Sequence, residues 1–210
     1  MTNKNNTNRK YDDSKKSSKK GNNIIGILFI ILVIFIIIGF FSISMVKTGD
    51  TSGYFNKEDK SIAQSIYDKI IAITEENYPK TPEEVVSIYT ESYKLLYGDK
   101  IKDLSIVPNI IEKQRILLSD NLVANNALDE QINTVLANIE SLKSNKIKVT
   151  SINIKSTDYD QNDNTLAYVK VTKEDSAFQT YYYVYYLKSE GDKWKITGWY
   201  NTDENFNIVS

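Results

Sequence analysis

An uninterrupted apolar run near the N-terminus is the feature that most limits what this chain can form. Residues 24–41 read IIGILFIILVIFIIIGFF, and no charged residue follows before Lys47. At about 1.5 Å per residue, 18 to 23 helical residues extend roughly 27–35 Å, close to the thickness of the hydrocarbon core of a bilayer. A helix this apolar on every side is rarely buried in a soluble protein. The run therefore predicts a transmembrane helix over residues 24–46.

Positive charge is distributed unequally on the two sides of this run. Residues 1–23 carry seven Lys or Arg against two Asp, and four of these lysines stand just before the run: Lys15, Lys16, Lys19 and Lys20. Only Lys47 follows closely after it. Basic residues are retained on the cytoplasmic side of a membrane. The distribution predicts a single-pass protein of the cell membrane, with a cytoplasmic N-terminus and residues 47–210 outside.

The first 23 residues are polar and of low complexity, so they are predicted to be a disordered basic cytoplasmic tail. A cleaved signal peptide is the alternative interpretation of the apolar run, with SIS at residues 42–44 as its small-residue cleavage site. The apolar core of a signal peptide is usually about 7–15 residues long. This run is longer, which favours an uncleaved helix in contact with the lipid bilayer.

The chain contains no cysteine and no histidine. Disulfides, thiolate-bound metals, cysteine nucleophiles and imidazole bases are thereby excluded. Glycine-rich motifs of the forms GxGxxG and GxxxxGK are absent too, so no cofactor is predicted. The formal net charge of −1 provides no overall basic field, so no nucleic-acid partner is predicted.

One acidic segment, DYDQNDN at residues 158–164, is similar to the start of a calcium-binding loop. Asp158, Asp160 and Asn162 have the required spacing. However, Asp163 stands where the loop needs glycine, and Val169 stands where it needs glutamate. The segment is therefore predicted to be a polar hairpin turn, and no metal site is predicted.

Residues 47–57 hold Gly and Ser and are predicted to be a linker, followed by one domain over residues 58–210. Apolar residues recur at helical spacing in 57–78, 82–97, 108–119 and 127–143. The second of these segments is the most clearly bounded. Thr81, Pro82 and Glu84 form a capping box with proline at the first position, and Gly98 is placed to end the helix.

From Ile147 onward the apolar period changes to two, which is typical of strands. The apolar phase slips between Val149 and Ile152, and this slip indicates a β-bulge. Three more strand-like segments follow, separated by short polar turns. Helices followed by strands in hairpin order predict an α+β domain in which helices pack on an antiparallel sheet.

The turn SEGD sets a predicted register for the last hairpin, with Lys188 opposite Lys193. The face predicted to lie under the helices then holds Val169, Val171, Tyr183, Tyr185, Leu187, Trp194 and Ile196. The predicted outer face holds Leu166, Tyr168, Tyr182, Val184, Tyr186 and Trp199. Aromatic pairs across strands stabilise a sheet, and contiguous exposed aromatics also mark contact surfaces. The outer face is therefore either a stabilised sheet surface or the place where a protein partner or a second copy binds.

The segments YKLLYG, QRILLSDNLVANN, IKVTSINI and DKWKITGWY are similar to an uncharacterised clostridial family, domain of unknown function 6715. The order of elements resembles the nuclear-transport-factor-2-like fold, a cone of helices against a curved antiparallel sheet. The resemblance implies membrane-anchored domains with a pocket, which Tyr181, Tyr183 and Tyr185 are placed to line. One span followed by one such domain is also similar to the VirB-eight-like scaffold subunits of type IV secretion.

These observations together favour an extracytoplasmic binding or scaffold module without catalytic activity. No acidic residue alternates into the inward face of the last three strands, so the Asp–Tyr chemistry of enzymes with a related fold is not expected. Three alternatives remain open. The domain is a small-molecule-binding sensor that uses the cone pocket, or it is a VirB-eight-like scaffold subunit of a secretion or conjugation system. The third alternative is an enzyme in which a helix carboxylate such as Glu91 lies within hydrogen-bond reach of a tyrosine.

The predicted topology has a direct test. Protease added to intact protoplasts should digest residues 47–210 and leave the N-terminal tail protected, because the charge distribution places the two segments on opposite sides of the membrane. Immunoblotting with one epitope at each end of the chain measures both outcomes. Protection of the C-terminal epitope would contradict the topology, and a mature N-terminus near residue 45 would support the signal-peptide alternative.

Overall fold

The helices of the domain all precede its strands. The computed structural model describes residues 53–57 and 60–208, so the predicted tail and the predicted transmembrane helix over residues 24–46 lie outside the described residues. Within the described ranges, no helix has both the length and the apolar character needed to cross a bilayer. The elements are α1 Lys60–Ile71, α2 Pro82–Tyr97, α3 Val107–Ile116, α4 Asp120–Ala124, α5 Leu128–Ser144, β1 Val149–Tyr159, β2 Leu166–Asp175, β3 Thr180–Glu190 and β4 Lys193–Thr202.

Helix α2 begins and ends where its sequence predicts. The Thr81 hydroxyl accepts a hydrogen bond from the backbone N–H of Glu84 at 3.1 Å, and the Glu84 carboxylate accepts one from the N–H of Thr81 at 3.3 Å. Pro82 occupies the first turn, where its missing N–H costs nothing. A Cβ atom at Gly98 would lie 2.4 Å from the Lys94 carbonyl oxygen, so only glycine fits at this C-cap.

The four strands form one antiparallel sheet in the order β1-β2-β3-β4, as the hairpin order predicts. A register shift between Val149 and Ser151 confirms the bulge inferred from the slipping apolar phase. Val169 lies opposite Tyr185, and Val171 lies opposite Tyr183. The predicted sharing of faces between β2 and β3 is therefore confirmed.

The predicted register of the last hairpin is wrong. Glu190 pairs with Lys193 across a two-residue turn, in which Gly191 has a φ of 70° that favours glycine. A second shift follows, because Leu187 pairs with Ile196 whereas Tyr186 pairs with Gly198. Thr197 is thus an extra residue in β4, and every later side chain of this strand points to the opposite face from the one predicted.

Trp199 is the main residue that this bulge displaces. It was predicted on the outer face, but it lies opposite Tyr185 on the side that faces the helices. Its ring centroid lies 5.9 Å from those of Tyr89 and Tyr185. Tyr200 takes its place on the outer face, opposite Val184. Trp194 lies on the helix side as predicted and is half-buried there.

The buried side chains form two adjoining clusters. The first joins the helices to one another and includes Leu95, Leu96 and Ile111. Phe55, which belongs to the predicted linker, is 3% exposed within it, so the domain begins before residue 58. The second cluster joins α2 to the sheet and includes Val85, Val86, Tyr89, Val169, Tyr185, Leu187 and Ile196. Helix α2 contributes to both clusters.

At the bulge, the edge of β4 away from β3 forms backbone hydrogen bonds with residues 117–119. The N–H of Ser119 donates to the Ile196 carbonyl, and the N–H of Ile196 donates to the Leu117 carbonyl, each at 2.9 Å. This segment follows α3 and adds a short parallel bridge between Leu118 and Ile196. The contact satisfies backbone groups that would otherwise lie on an open strand edge.

The chain folds back over the outer face after β4. Asp203 accepts hydrogen bonds from the N–H groups of Asn205 and Asn207 at 2.9 and 2.8 Å, and Thr202 forms an antiparallel bridge with Ile208. The ring of Phe206 then lies 5.7 Å from the ring of Tyr182. Residues 203–208, here called the C-terminal turn, therefore cover one end of the outer face.

Trp199→Ala should destabilise the protein by about 3 kcal/mol, because the change removes an aromatic side chain packed between Tyr89 and Tyr185. Chemical denaturation of the full chain in detergent micelles, followed by circular dichroism, measures the effect. Tyr200→Ala is the matched control from the outer face, and its cost should be clearly smaller. Equal costs for the two changes would show that the bulge is misplaced.

Candidate functional site

Three tyrosines form a row across the outer face of the sheet. Tyr168 on β2 lies opposite Tyr186 on β3, with ring centroids 5.1 Å apart and ring planes at 83°. Tyr186 in turn contacts Tyr200 on β4, at 5.0 Å and 76°. All three side chains are half-exposed. Edge-to-face packing of this kind holds each ring in a defined orientation. We call Tyr168, Tyr186 and Tyr200 the outer tyrosine row.

The structure brings together most of the residues predicted for the outer face. Leu166, Tyr168, Tyr182, Val184 and Tyr186 share that face, and Trp199 does not. Val184 is buried there, and Tyr182 is in contact with the C-terminal turn. The half-exposed aromatic and apolar side chains of this face are the outer tyrosine row, Leu166 and Tyr182. The sequence did not indicate Tyr200, because the bulge that turns it outward has no sequence signal. It did not indicate Phe206, because this residue reaches the outer face only through the turn after β4.

Polar groups surround one end of the row. The hydroxyl of Tyr168 donates a hydrogen bond to the Asp160 carboxylate at 3.0 Å. Asp160 also accepts from the N–H groups of Asn162 and Asp163, and these bonds, chiefly that from Asn162, lower the pKa of its carboxyl. Lys170 forms an ion pair with Asp158 at 2.9 Å. The segment considered as a calcium loop is thus a hydrogen-bonded turn, and no group of three acidic side chains suited to a metal occurs in the described part of the chain.

A second group of aromatic residues lies on the helix side, near the β2–β3 hairpin. The ammonium nitrogen of Lys173 lies 5.4 Å from the ring centroid of Tyr93, 4.5 Å from that of Tyr181 and 5.2 Å from that of Tyr183. We call these four residues the tyrosine–lysine cluster. Of the predicted pocket residues, Tyr181 and Tyr183 belong to it. Tyr185 does not line an open space, because it is buried against Tyr89 and Trp199.

A groove of about 650 Å³ lies elsewhere, between α1, α2 and β1. It contains one ion pair, between Lys69 and Glu91 at 3.3 Å, and several hydroxyl groups. An apolar ligand would have to bury these polar groups, which is unfavourable without new hydrogen bonds. Its lining residues are Ser61, Ile62, Ser65, Ile66, Lys69, Ser87, Thr90, Glu91, Lys94, Ile152, Asn153 and Ile154.

Comparison with protein families gives a match over residues 14–199 to a family described as Domain of unknown function (DUF6715). The chain belongs to this family. The region that matches DUF6715 includes the apolar run at residues 24–46 as well as nearly all of the α+β domain. A comparison with curated proteins found no significant match.

Among solved structures, the DUF6715 chain is similar to the crystal structure of the intermembrane space region of chloroplast protein ARC6. The sequence identity is 15%, and the alignment covers 61% of this chain and 94% of that one. The TM-score is 0.31, which is too low to support an argument about fold or function.

The protonation states of Lys173 and Tyr93 in the tyrosine–lysine cluster follow from their surroundings. Burial opposes the charge of Lys173, but the nearby Tyr93 and Tyr183 oxygens outweigh it and raise the pKa of the lysine. Burial raises the pKa of Tyr93 to about 12, although Lys173 acts in the opposite direction. Both groups therefore keep their protons at neutral pH. A general base needs a pKa near the working pH, which neither group has.

The raised pKa of Tyr93 predicts a loss of stability at high pH. A phenol whose pKa rises from about 10 to about 12 on folding stabilises the protein below pH 10, and the contribution is lost as the pH rises toward 12. The loss for Tyr93 is about 2.7 kcal/mol. Tyr93→Phe should therefore make the free energy of unfolding fall less steeply between pH 10 and 12 in chemical denaturation.

Tyr159→Phe is the control for this measurement, because Tyr159 is 53% exposed and lies outside the cluster. Its stability should follow the same pH dependence as the parent protein. An identical slope for Tyr93→Phe and the parent would mean that Tyr93 is not buried as described.

Proposed function

We propose that this DUF6715 protein is a single-pass, membrane-anchored module that acts outside the cytoplasm as a binding or scaffold domain. Its contact surface is the outer tyrosine row, and its simplest partner is a second copy of the same chain. The observation that carries the proposal is the alignment of three half-exposed tyrosine rings on three adjacent strands of one sheet. No catalytic step is part of the proposal.

The chemistry of the row suits protein contact. Tyrosine contributes a large apolar area and a hydroxyl while losing little rotamer freedom, and it is enriched at the positions that dominate interface energetics. Each ring in the row is held by its neighbour, and the Tyr168 hydroxyl is fixed by Asp160. The surface is thus largely ordered before binding, which lowers the entropic cost of association.

The anchor supports weak association. The apolar run lies within the region that matches the family, so it is part of the family's sequence pattern rather than an addition to it. Confinement to a membrane raises the effective concentration of neighbouring domains, as a short linker does between two binding sites. A small contact surface is then sufficient, because the domains need not find one another from free solution.

The sequence leaves three alternative functions open. A VirB-eight-like scaffold role rests on the resemblance alone, and a fold-level analogy does not carry function. A small-molecule sensor would need a ligand site, and for this the tyrosine–lysine cluster offers more chemistry than the groove between α1, α2 and β1. An enzyme is disfavoured, because the helix-side Tyr93 and Lys173 keep their protons at neutral pH.

The test is the double change Tyr186→Ser with Tyr200→Ser in the full-length chain. The double change removes two of the three rings of the proposed contact surface. In-membrane crosslinking should therefore show at least a fivefold loss of the crosslinked species. Tyr159→Ser with Phe178→Ser is the matched control. It removes two exposed aromatic rings outside the row and should leave crosslinking unchanged.

Far-UV circular dichroism of the purified chains checks that the sheet survives in both variants. An intact fold with undiminished crosslinking in Tyr186→Ser/Tyr200→Ser would rule out the outer tyrosine row as a contact surface. The tyrosines would then be explained by cross-strand packing alone.

A further inference from the structure

The charge of Lys173 is partly buried without a matching carboxylate. Its side chain is half-buried among the rings of Tyr93, Tyr181 and Tyr183. Among the described residues, no acidic side chain forms an ion pair with it. Aromatic faces attract a cation, but this attraction is weaker than that of a paired carboxylate. The cluster therefore retains net positive charge.

The carboxylate of Asp175, two residues further along the strand from Lys173, is engaged elsewhere. It accepts hydrogen bonds from the N–H groups of Ala177 and Gln179 at 2.8 and 3.1 Å, and from the Tyr181 hydroxyl at 3.1 Å. Burial acts to raise the pKa of this carboxyl, but these bonds and, to a smaller extent, the charge of Lys173 outweigh burial and lower it. Asp175 thus shapes the hairpin and orients Tyr181, without directly contacting the ammonium group.

Hydrogen-bond donors outnumber acceptors in the cluster. The oxygens of Tyr93 and Tyr183 stabilise the charged form of Lys173 and raise its pKa, against the effect of burial. Each hydroxyl has one proton to donate, and the ammonium group has three. The nearby Asp175 and Gln179 accept from the hairpin and from Tyr181. Within residues 53–57 and 60–208, no hydrogen bond joins the side chains of Lys173, Tyr93 or Tyr183 to a group outside the cluster. Three donor groups therefore lie together without a further protein acceptor.

The cluster is accessible from solvent at the hairpin end. Tyr181 is 36% exposed, and Phe178 at the tip of the β2–β3 hairpin is 97% exposed. Phe178 has a φ of 61°, so the turn holds this residue in an uncommon conformation while its ring lies in solvent. The partial exposure of Tyr181 leaves the cluster open to solvent beside the hairpin.

We propose that the tyrosine–lysine cluster binds an oxyanion, the carboxylate or phosphate group of a small ligand, through Lys173, Tyr93 and Tyr183. An oxyanion supplies both the negative charge and the several acceptor lone pairs that this group of donors lacks. The site lies on the opposite face of the sheet from the outer tyrosine row. The inference does not depend on the contact surface proposed above.

Isothermal titration calorimetry of the full-length chain in detergent micelles tests the site at constant ionic strength. Sodium benzoate is the carboxylate probe, because its ring can also contact apolar surface, and inorganic phosphate is the other probe. Saturable binding of at least one probe is expected. Lys173→Met, which keeps the length of the side chain but removes its charge, should weaken that binding at least tenfold.

Two further variants make the test specific. Tyr183→Phe removes one hydroxyl and no ring, and it should weaken binding several-fold with little effect on the fold, so it remains informative if Lys173→Met does not fold. Lys170→Met removes a lysine from the same strand on the opposite face, and it should leave binding unchanged.

The pattern of binding identifies the ligand class. Binding of benzoate alone indicates a carboxylate-bearing ligand, and binding of phosphate alone indicates a phosphate-bearing one. Absence of saturable binding by both probes would overturn the proposal, as would equal affinities for the parent protein and the Tyr183→Phe variant. In either case the cluster is a cation–π contact that serves stability only.

Discussion

The packing of α2 against the sheet is the contact on which the rest of the domain depends. Tyr89 meets Tyr185 and Trp199 at ring distances of 5.9 Å. These three rings join helix α2, which contributes to both buried clusters, to the last two strands. The outer tyrosine row lies on the opposite face of the sheet from this contact. Tyr93 of the tyrosine–lysine cluster lies about one turn further along α2 than Tyr89.

Much of the fold was predictable because its signals are local. The capping box at Thr81, the change of period after Ile147 and the alternation along β2 and β3 each depend on a few neighbouring residues. The position of Trp199 was not predictable. The bulge at Thr197 coincides with the pairing of Ile196 to the Leu117–Ser119 segment, a contact between residues far apart in sequence. One extra residue in a strand reverses all later faces, so a single non-local contact changed the assignment.

The residues of the candidate sites likewise divide into those that local sequence signals predict and those that depend on contacts distant in sequence. Tyr168 and Tyr186 were found from alternation, whereas Tyr200 depends on the bulge, and Phe206 depends on a turn after the last strand. Lys173 was missed for another reason. A lysine on a strand is ordinarily assigned to solvent, and only the approach of Tyr93 from α2 shows that its side chain is enclosed by rings. Alternation gives the face of a residue but not what packs against it.

The sequence of β3 has a consequence for how the sheet assembles. It reads TYYYVYYLKSE, so a shift of one residue would still place tyrosines on both faces. Alternation, which normally penalises a slipped pairing, therefore discriminates weakly along most of this strand. Correct assembly must instead be selected at the strand's two ends, by the Gly191 turn and by the Asp175 hairpin. The two hairpins thereby fix a register that the repeated tyrosines of β3 would not fix on their own.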